Sequence, residues 1–225
     1  MYDNVYIVIP AKDEANRISG VLHHILDAGF ANIIVVDDGS TDNTSEVSRS
    51  FGVSVIKHLI NLGAGAATQT GIEYAVSKGA AVIVTIDADH QHLPSDIKGL
   101  VDKLTENSAD IVIGSRFLNK TNEIPASRVF YNKVANVLTY LITGIKVTDS
   151  QSGMKALSAD FAKKSKLYFN GFEFSVEMIR NIKVNDAKML ESPISVIYTE
   201  DTLSKGQNLL TGIKMLAKLL KLTQR

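Results

Sequence analysis

The chain has 225 residues, 45% of them hydrophobic and 21% charged, which suits one large domain or two small ones around a full apolar core. Its 24 basic and 24 acidic residues cancel to a formal charge of zero, excluding the uniform positive field that a nucleic-acid partner requires. With no cysteine there is neither a disulfide framework nor a thiolate metal site, so any metal must be held by oxygen or histidine.

Short apolar, β-branched runs at 5–9, 33–36, 53–56, 82–86 and 111–113 alternate with helix-like patterns near 14–28, 42–51, 65–78 and 95–106. Such alternation predicts an α/β fold with a mainly parallel, Rossmann-like sheet and helices on both faces. In that architecture ligands bind beyond the carboxyl ends of the strands. Three polar clusters fall at those ends and should converge on one crevice: Pro10 to Glu14, Asp37 to Asp42, and Asp87 to Gln91. After Arg116 the pattern loosens into a helix near 128–142, an irregular 149–155, a helix at 172–182 and a strand at 191–198. That half is expected to shape an acceptor site within the same domain.

Asp87-Ala88-Asp89-His90-Gln91 places two carboxylates and an amide oxygen just past a strand expected to be buried on both faces. The carboxylates repel each other, and a divalent cation would neutralise them; the competing reading is a solvated turn leading to the helix near Pro94. Asp37-Asp38-Gly39-Ser40-Thr41-Asp42 is equally two-sided. It is a capped turn before a helix, or a pair of carboxylates accepting hydrogen bonds from a nucleobase and a ribose. Gly63 belongs to a Gly-X-Gly that lacks the third glycine of a dinucleotide fingerprint and implies a close backbone approach ahead of a helix packed through Ala66, Ala67 and Gly71. Arg116 follows the fifth strand and Arg128 opens the next helix, so two guanidinium groups face one crevice in a form suited to phosphate. His90 and His92 are read as bystanders, since oxygen ligands suffice for Mg2+ or Mn2+. No Gly-X-Ser-X-Gly elbow and no Walker loop is present.

No stretch approaches the roughly 18 apolar residues of a spanning helix, and the first strand begins at Val5, so a cytoplasmic protein is expected. No acidic residue follows Asp201. Over 206–225, Leu209, Ile213, Leu216 and Leu220 form an apolar stripe opposite Lys214, Lys218, Lys221 and Arg225. This basic amphipathic helix would dock on the core or lie peripherally at an anionic membrane.

Taken in order, Ile9-Pro10-Ala11-Lys12-Asp13-Glu14, Val36-Asp37-Asp38-Gly39-Ser40, Asn61-Leu62-Gly63, Asp87 to His92, Gly114-Ser115-Arg116 and Asp149-Ser150-Gln151-Ser152-Gly153-Met154 resemble the family 2 glycosyltransferases of the GT-A fold. Within that family the chain looks most like the dolichol-phosphate mannose and polyprenyl-phosphate glucose synthases. The resemblance implies a catalytic domain over 1–205, with a nucleotide half to about 116 and an acceptor half from 117, followed by the 206–225 helix. It implies that Pro10, Ala11, Glu14, Asp37, Asp38, Gly63, Asp87, Ala88 and Lys205 bind the donor, that Asp89 and Gln91 ligate Mg2+ or Mn2+, and that Asp87, Asp89, Arg116, Arg128 and Asp149 serve catalysis. The implied reaction is an inverting transfer of a hexose from GDP-mannose or UDP-glucose to a polyprenyl or dolichyl phosphate. A phosphate acceptor is already anionic and needs no general base; a sugar or protein hydroxyl acceptor, the alternative, would require a carboxylate such as Asp149. A non-catalytic nucleotide-sugar-binding scaffold is the second alternative.

Overall fold

The structure, a computed structural model, describes residues 2–171 and 173–198. Lys205 and the helix expected over 206–225 lie outside the described residues. Seven strands, β1 (Val5–Ala11), β2 (Asn32–Asp37), β3 (Ser54–Lys57), β4 (Val82–Thr85), β5 (Ile111–Ser115), β6 (Lys155–Ser158) and β7 (Met189–Pro193), form one sheet in the order β3-β2-β1-β4-β6-β5-β7. Every neighbouring pair is parallel except those of β6, which runs antiparallel between β4 and β5.

Side chains of β1 alternate between two cores, as a strand's period of two demands. Val5, Ile7, Ile9 and Ala11 join the core beneath α1 (Ala15–Asp27) and α4 (Ile97–Glu106), on the face that also carries α2 (Thr44–Ser50). Val8 points the other way, toward α3 (Ala64–Ser77), α6 (Ala159–Lys164) and α7 (Phe174–Val184). Both faces of the sheet are thus covered, and β4 and β5 are buried throughout, which explains the apolar runs at 82–84 and 111–113. Gly71 of α3 rests on Val8 and Val36, where any larger side chain would push the helix off the sheet.

From β1 the chain winds outward through β2 to β3, then returns to place β4 on the other side of β1. The strand order therefore reverses between β1 and β4, and the carboxyl ends of these two strands open a crevice at the switch point. Pro10 to Glu14 and Asp87 to Gln91 flank it.

Three expectations for the second half change. The segment 149–155, read as irregular, leads directly into β6 at Lys155, and α6 follows. The last strand spans Met189–Pro193 rather than 191–198; its continuation makes only an isolated bridge between Val196 and His92. The helix expected at 128–142 is α5, Ala126–Thr143. It ends at Gly144, whose φ of 73° supplies the left-handed turn that stops a helix without steric cost.

Candidate functional site at the switch point

The loop after β1 is fixed by the loop after β2. The backbone N–H groups of Asp13, Glu14 and Ala15 donate to Ser40 Oγ, Thr44 Oγ1 and Asp42 Oδ2 at 2.9, 2.9 and 3.1 Å. Asp13, held at a φ of 54°, accepts from the Thr41 N–H at 2.8 Å and forms an ion pair with Lys12. These contacts drive the Asp13 pKa down to about 2, the Lys12 bond being the largest cause.

Asp37 and Asp38 separate into different environments. Asp37 has no exposed surface; it accepts from the Ser40 N–H at 2.8 Å and from the Ser45 hydroxyl, with Lys57 Nζ at 3.6 Å. Burial alone would raise its pKa, but the Ser40 and Ser45 bonds and Lys57 outweigh burial and lower it. The Asp37 oxygens are engaged beneath the loop by Ser40, Ser45 and Lys57, and Asp37 is not among the residues that line the crevice. Asp38 instead lines the crevice. It accepts from the Leu62 and Gly63 N–H groups at 2.9 and 2.7 Å and meets His58 Nδ1 at 2.8 Å, folding the 58–63 segment into the cavity wall. Gly63 closes that wall at a φ of 104°, so near the Asn170 carbonyl that a Cβ could not fit. Pro10, Ala11, Lys12, Glu14, Asp87, Ala88 and Asp89 are also among the residues lining this open cavity of about 420 Å3.

A second cavity, of about 170 Å3, lies on the other side of Asp87, with Gln91, Arg116, Arg128 and Asn132 among its walls. Asp87 lines both. Its carboxylate rests directly on Gly153, where a methyl group would overlap it, and His92 Nε2 lies 3.7 Å away. Close packing and the neighbouring Asp89 push the Asp87 pKa up, against the pull of Lys155 and Arg116. Asp89 turns the loop by accepting from the Gln91 N–H at 3.0 Å across His90, whose φ is 64°. Asp89 lines the larger cavity and Gln91 the smaller, and Asp87 is common to both.

Lys155 and His92 are the site residues that sequence reasoning missed. Lys155, 1% exposed, donates to the Ser152 carbonyl; burial pulls its pKa down to about 8, partly offset by Asp87 and Asp149. The signal was a lone lysine in the otherwise apolar Met154 to Leu157 run. His92, read as a bystander, is buried beside Asp87. Burial, reinforced by Arg116, pushes its pKa down to about 3, so it is neutral.

Asp149 is fully buried and holds Arg116 through the backbone N–H at 3.1 Å and through Nε and Nη2 at 2.7 Å each. Burial opposes the Arg116 charge, but the two-pronged pairing overrides it and raises the pKa. Asp149 thus anchors a cation at the second cavity rather than presenting a base to it. Arg128, one turn before Asn132 on α5, brings the other guanidinium expected there.

The carboxylates of Asp87 and Asp89 and the amide oxygen of Gln91 are oxygen donors, a set that fits a hard divalent cation. Among the described residues no three His, Cys, Asp or Glu side chains form a closed metal cage. A cation here would therefore complete its shell with ligand or water oxygens, as Mg2+ commonly does.

The model of glycosyl transferase family 2 matches residues 6–165. The chain is 40% identical to an uncharacterised protein of Methanocaldococcus jannaschii over 222 residues, covering 97% of this chain and 91% of that protein. It is 34% identical to the UDP-N-acetylglucosamine–dolichyl-phosphate N-acetylglucosaminyltransferase of Methanococcus voltae over 239 residues, 97% of this chain and 95% of that one. The fold matches the crystal structure of glucosyl-3-phosphoglycerate synthase from Mycobacterium tuberculosis in complex with Mn2+, UDP and glucosyl-3-phosphoglycerate, with a TM-score of 0.71 at 18% identity over 96% of this chain and 77% of that one. The fold is the GT-A fold, and with the family model spanning most of its length the chain belongs to glycosyl transferase family 2.

Proposed function

We propose that this glycosyltransferase moves a sugar from a nucleotide-diphosphate donor to the phosphate of a polyprenyl or dolichyl lipid. The observation that carries the reading is the junction at Asp87. A larger cavity lined by Glu14, Asp38, Asp89 and Lys12 meets a smaller one carrying Arg116 and Arg128, so a reacting centre held over Asp87 is reachable from both sides. The relative from Methanococcus voltae, whose name gives a dolichyl-phosphate acceptor and a UDP-N-acetylglucosamine donor, supports the same pairing.

In this reading the nucleotide lies along Pro10, Ala11, Glu14, Asp38 and Gly63. Asp89 and Gln91 would hold Mg2+ or Mn2+, which supplies positive charge to the departing diphosphate. Arg116, oriented by Asp149, and Arg128 grip the acceptor phosphate. One of its oxygens attacks the anomeric carbon as the bond to the donor diphosphate breaks, inverting the configuration and releasing the nucleoside diphosphate. The attacking oxygen is already anionic, so no proton need be removed. This agrees with Asp149 having both oxygens engaged by Arg116; Asp87 is the one carboxylate lining the second cavity among the described residues.

The test is transfer from UDP-glucose, UDP-N-acetylglucosamine and GDP-mannose to a polyprenyl phosphate, with Mg2+ or Mn2+ and with excess chelator. Metal-dependent formation of a glycosylated lipid phosphate from one donor is expected. Full activity in chelator would remove the metal from the account, and no product with any donor would remove the lipid acceptor.

A further inference from the structure

The carboxylate loop after β4 is tied to helix α1 by a pair of histidines. His90 stands between Asp89 and Gln91, at the bend where the Gln91 N–H donates back to Asp89 Oδ1 at 3.0 Å. Its φ of 64° is a left-handed conformation that a residue with a Cβ adopts when its surroundings compel it. The imidazole leaves the loop and lies on α1. There His24 Nδ1 and His90 Nε2 are 2.9 Å apart, within hydrogen-bond reach, with ring centres 4.9 Å from each other. Gly20, one turn earlier on the same side of the helix, makes room for the ring: a Cβ there would stand 3.2 Å from His90 Cε1 and 3.4 Å from Nδ1. Glycine is a poor helix former, so its presence mid-helix is explained by the ring it seats.

We propose that His24 is a positioning residue: through its hydrogen bond to His90, α1 holds Asp89 and Gln91 in the arrangement that receives the divalent cation. The helix is a firm support for the loop. Ile18, Val21, Leu22 and Ile25 bury its other side in the core. Its first residue, Ala15, follows Glu14 of the donor cavity and is pinned by Asp42 Oδ2 at 3.1 Å. One rigid element therefore joins the nucleotide wall to the metal loop, although His24 and His90 are 66 residues apart in sequence. The inference rests on the metal assignment proposed above, in which neither imidazole is a ligand. An exposed hydrogen bond of this kind adds little to global stability, so its effect is local. Without it the loop takes up other bends, and gathering the two oxygen donors around a cation costs affinity.

The test is Mn2+ binding by the full chain with UDP or with GDP, read from the loss of the free Mn2+ electron paramagnetic resonance signal, which needs no turnover. His24→Ala should weaken Mn2+ binding about three- to tenfold, the range of one hydrogen bond, with the melting temperature near that of wild type. His24→Asn, whose side-chain amide can place a polar atom where Nδ1 stands, should restore the affinity to within about twofold of wild type. Gly20→Ala separates support from stability. Alanine is the better helix former, so the melting temperature should not fall, yet the new methyl displaces the His90 ring and should weaken Mn2+ by at least about twofold. Wild-type Mn2+ affinity in His24→Ala, or losses in the three variants that merely follow their melting temperatures, would overturn the role of His24 and leave the metal at Asp89 and Gln91 standing. A wild type that takes up Mn2+ with neither nucleotide would remove the metal assignment, and the role of His24 with it.

Discussion

Asp37 and Asp38 are consecutive, and one step along an extended backbone sends their side chains to opposite sides. Asp37→Ala should thus cost stability, about 1–3 kcal/mol for the unpaired Ser40 and Ser45 donors, in denaturant unfolding, with the donor dissociation constant unchanged. Its folded pKa lies below the unfolded value, so this contribution is complete above about pH 3.9 and is lost as pH falls through the lower, folded pKa. The gap between wild type and Asp37→Ala should close in acid. Asp89→Asn should behave oppositely, abolishing metal-dependent donor binding in calorimetry while leaving the melting temperature near that of wild type. The two arginines of the second cavity also divide. Arg116→Met leaves the Asp149 carboxylate buried without its cation and should destabilise by about 3–5 kcal/mol; Arg128→Met should chiefly raise the acceptor KM. A sequence shows that two carboxylates adjoin; it does not show which one the sheet turns inward.

Among the elements, the first five strands and four helices were legible because each carries its own periodicity and is flanked by turn residues. β6 and α6 were not. Four residues beginning with a lysine carry no period, and β6 exists because β4 and β5 offer it a gap, a non-local pairing. The same insertion delivers Gly153 and Lys155 to Asp87, more than sixty residues away in sequence, so the underside of the site was hidden along with the strand. Gly153→Ala tests this support directly. The added methyl overlaps the Asp87 carboxylate and should displace it, lowering kcat by about 100-fold with donor affinity nearly intact, as a displacement of about 1 Å at a reacting centre can. An unchanged kcat would mean that Asp87 does not need its present position.

At the scale of the whole molecule, the reversal of strand order between β1 and β4 opens the crevice, and α5 supplies one wall of the second cavity. Donor cavity, Asp87 and arginine pair thus form a continuous path across one side of the protein. The central claim is that the acceptor group entering at the arginines is a phosphate. It is tested most directly by offering the enzyme, with one active donor and Mn2+, a polyprenyl phosphate and the corresponding polyprenol of equal chain length, and identifying the products by mass spectrometry. The account predicts sugar on the phosphate alone, with inverted anomeric configuration. Glycosylation of the free polyprenol at a comparable rate would contradict it.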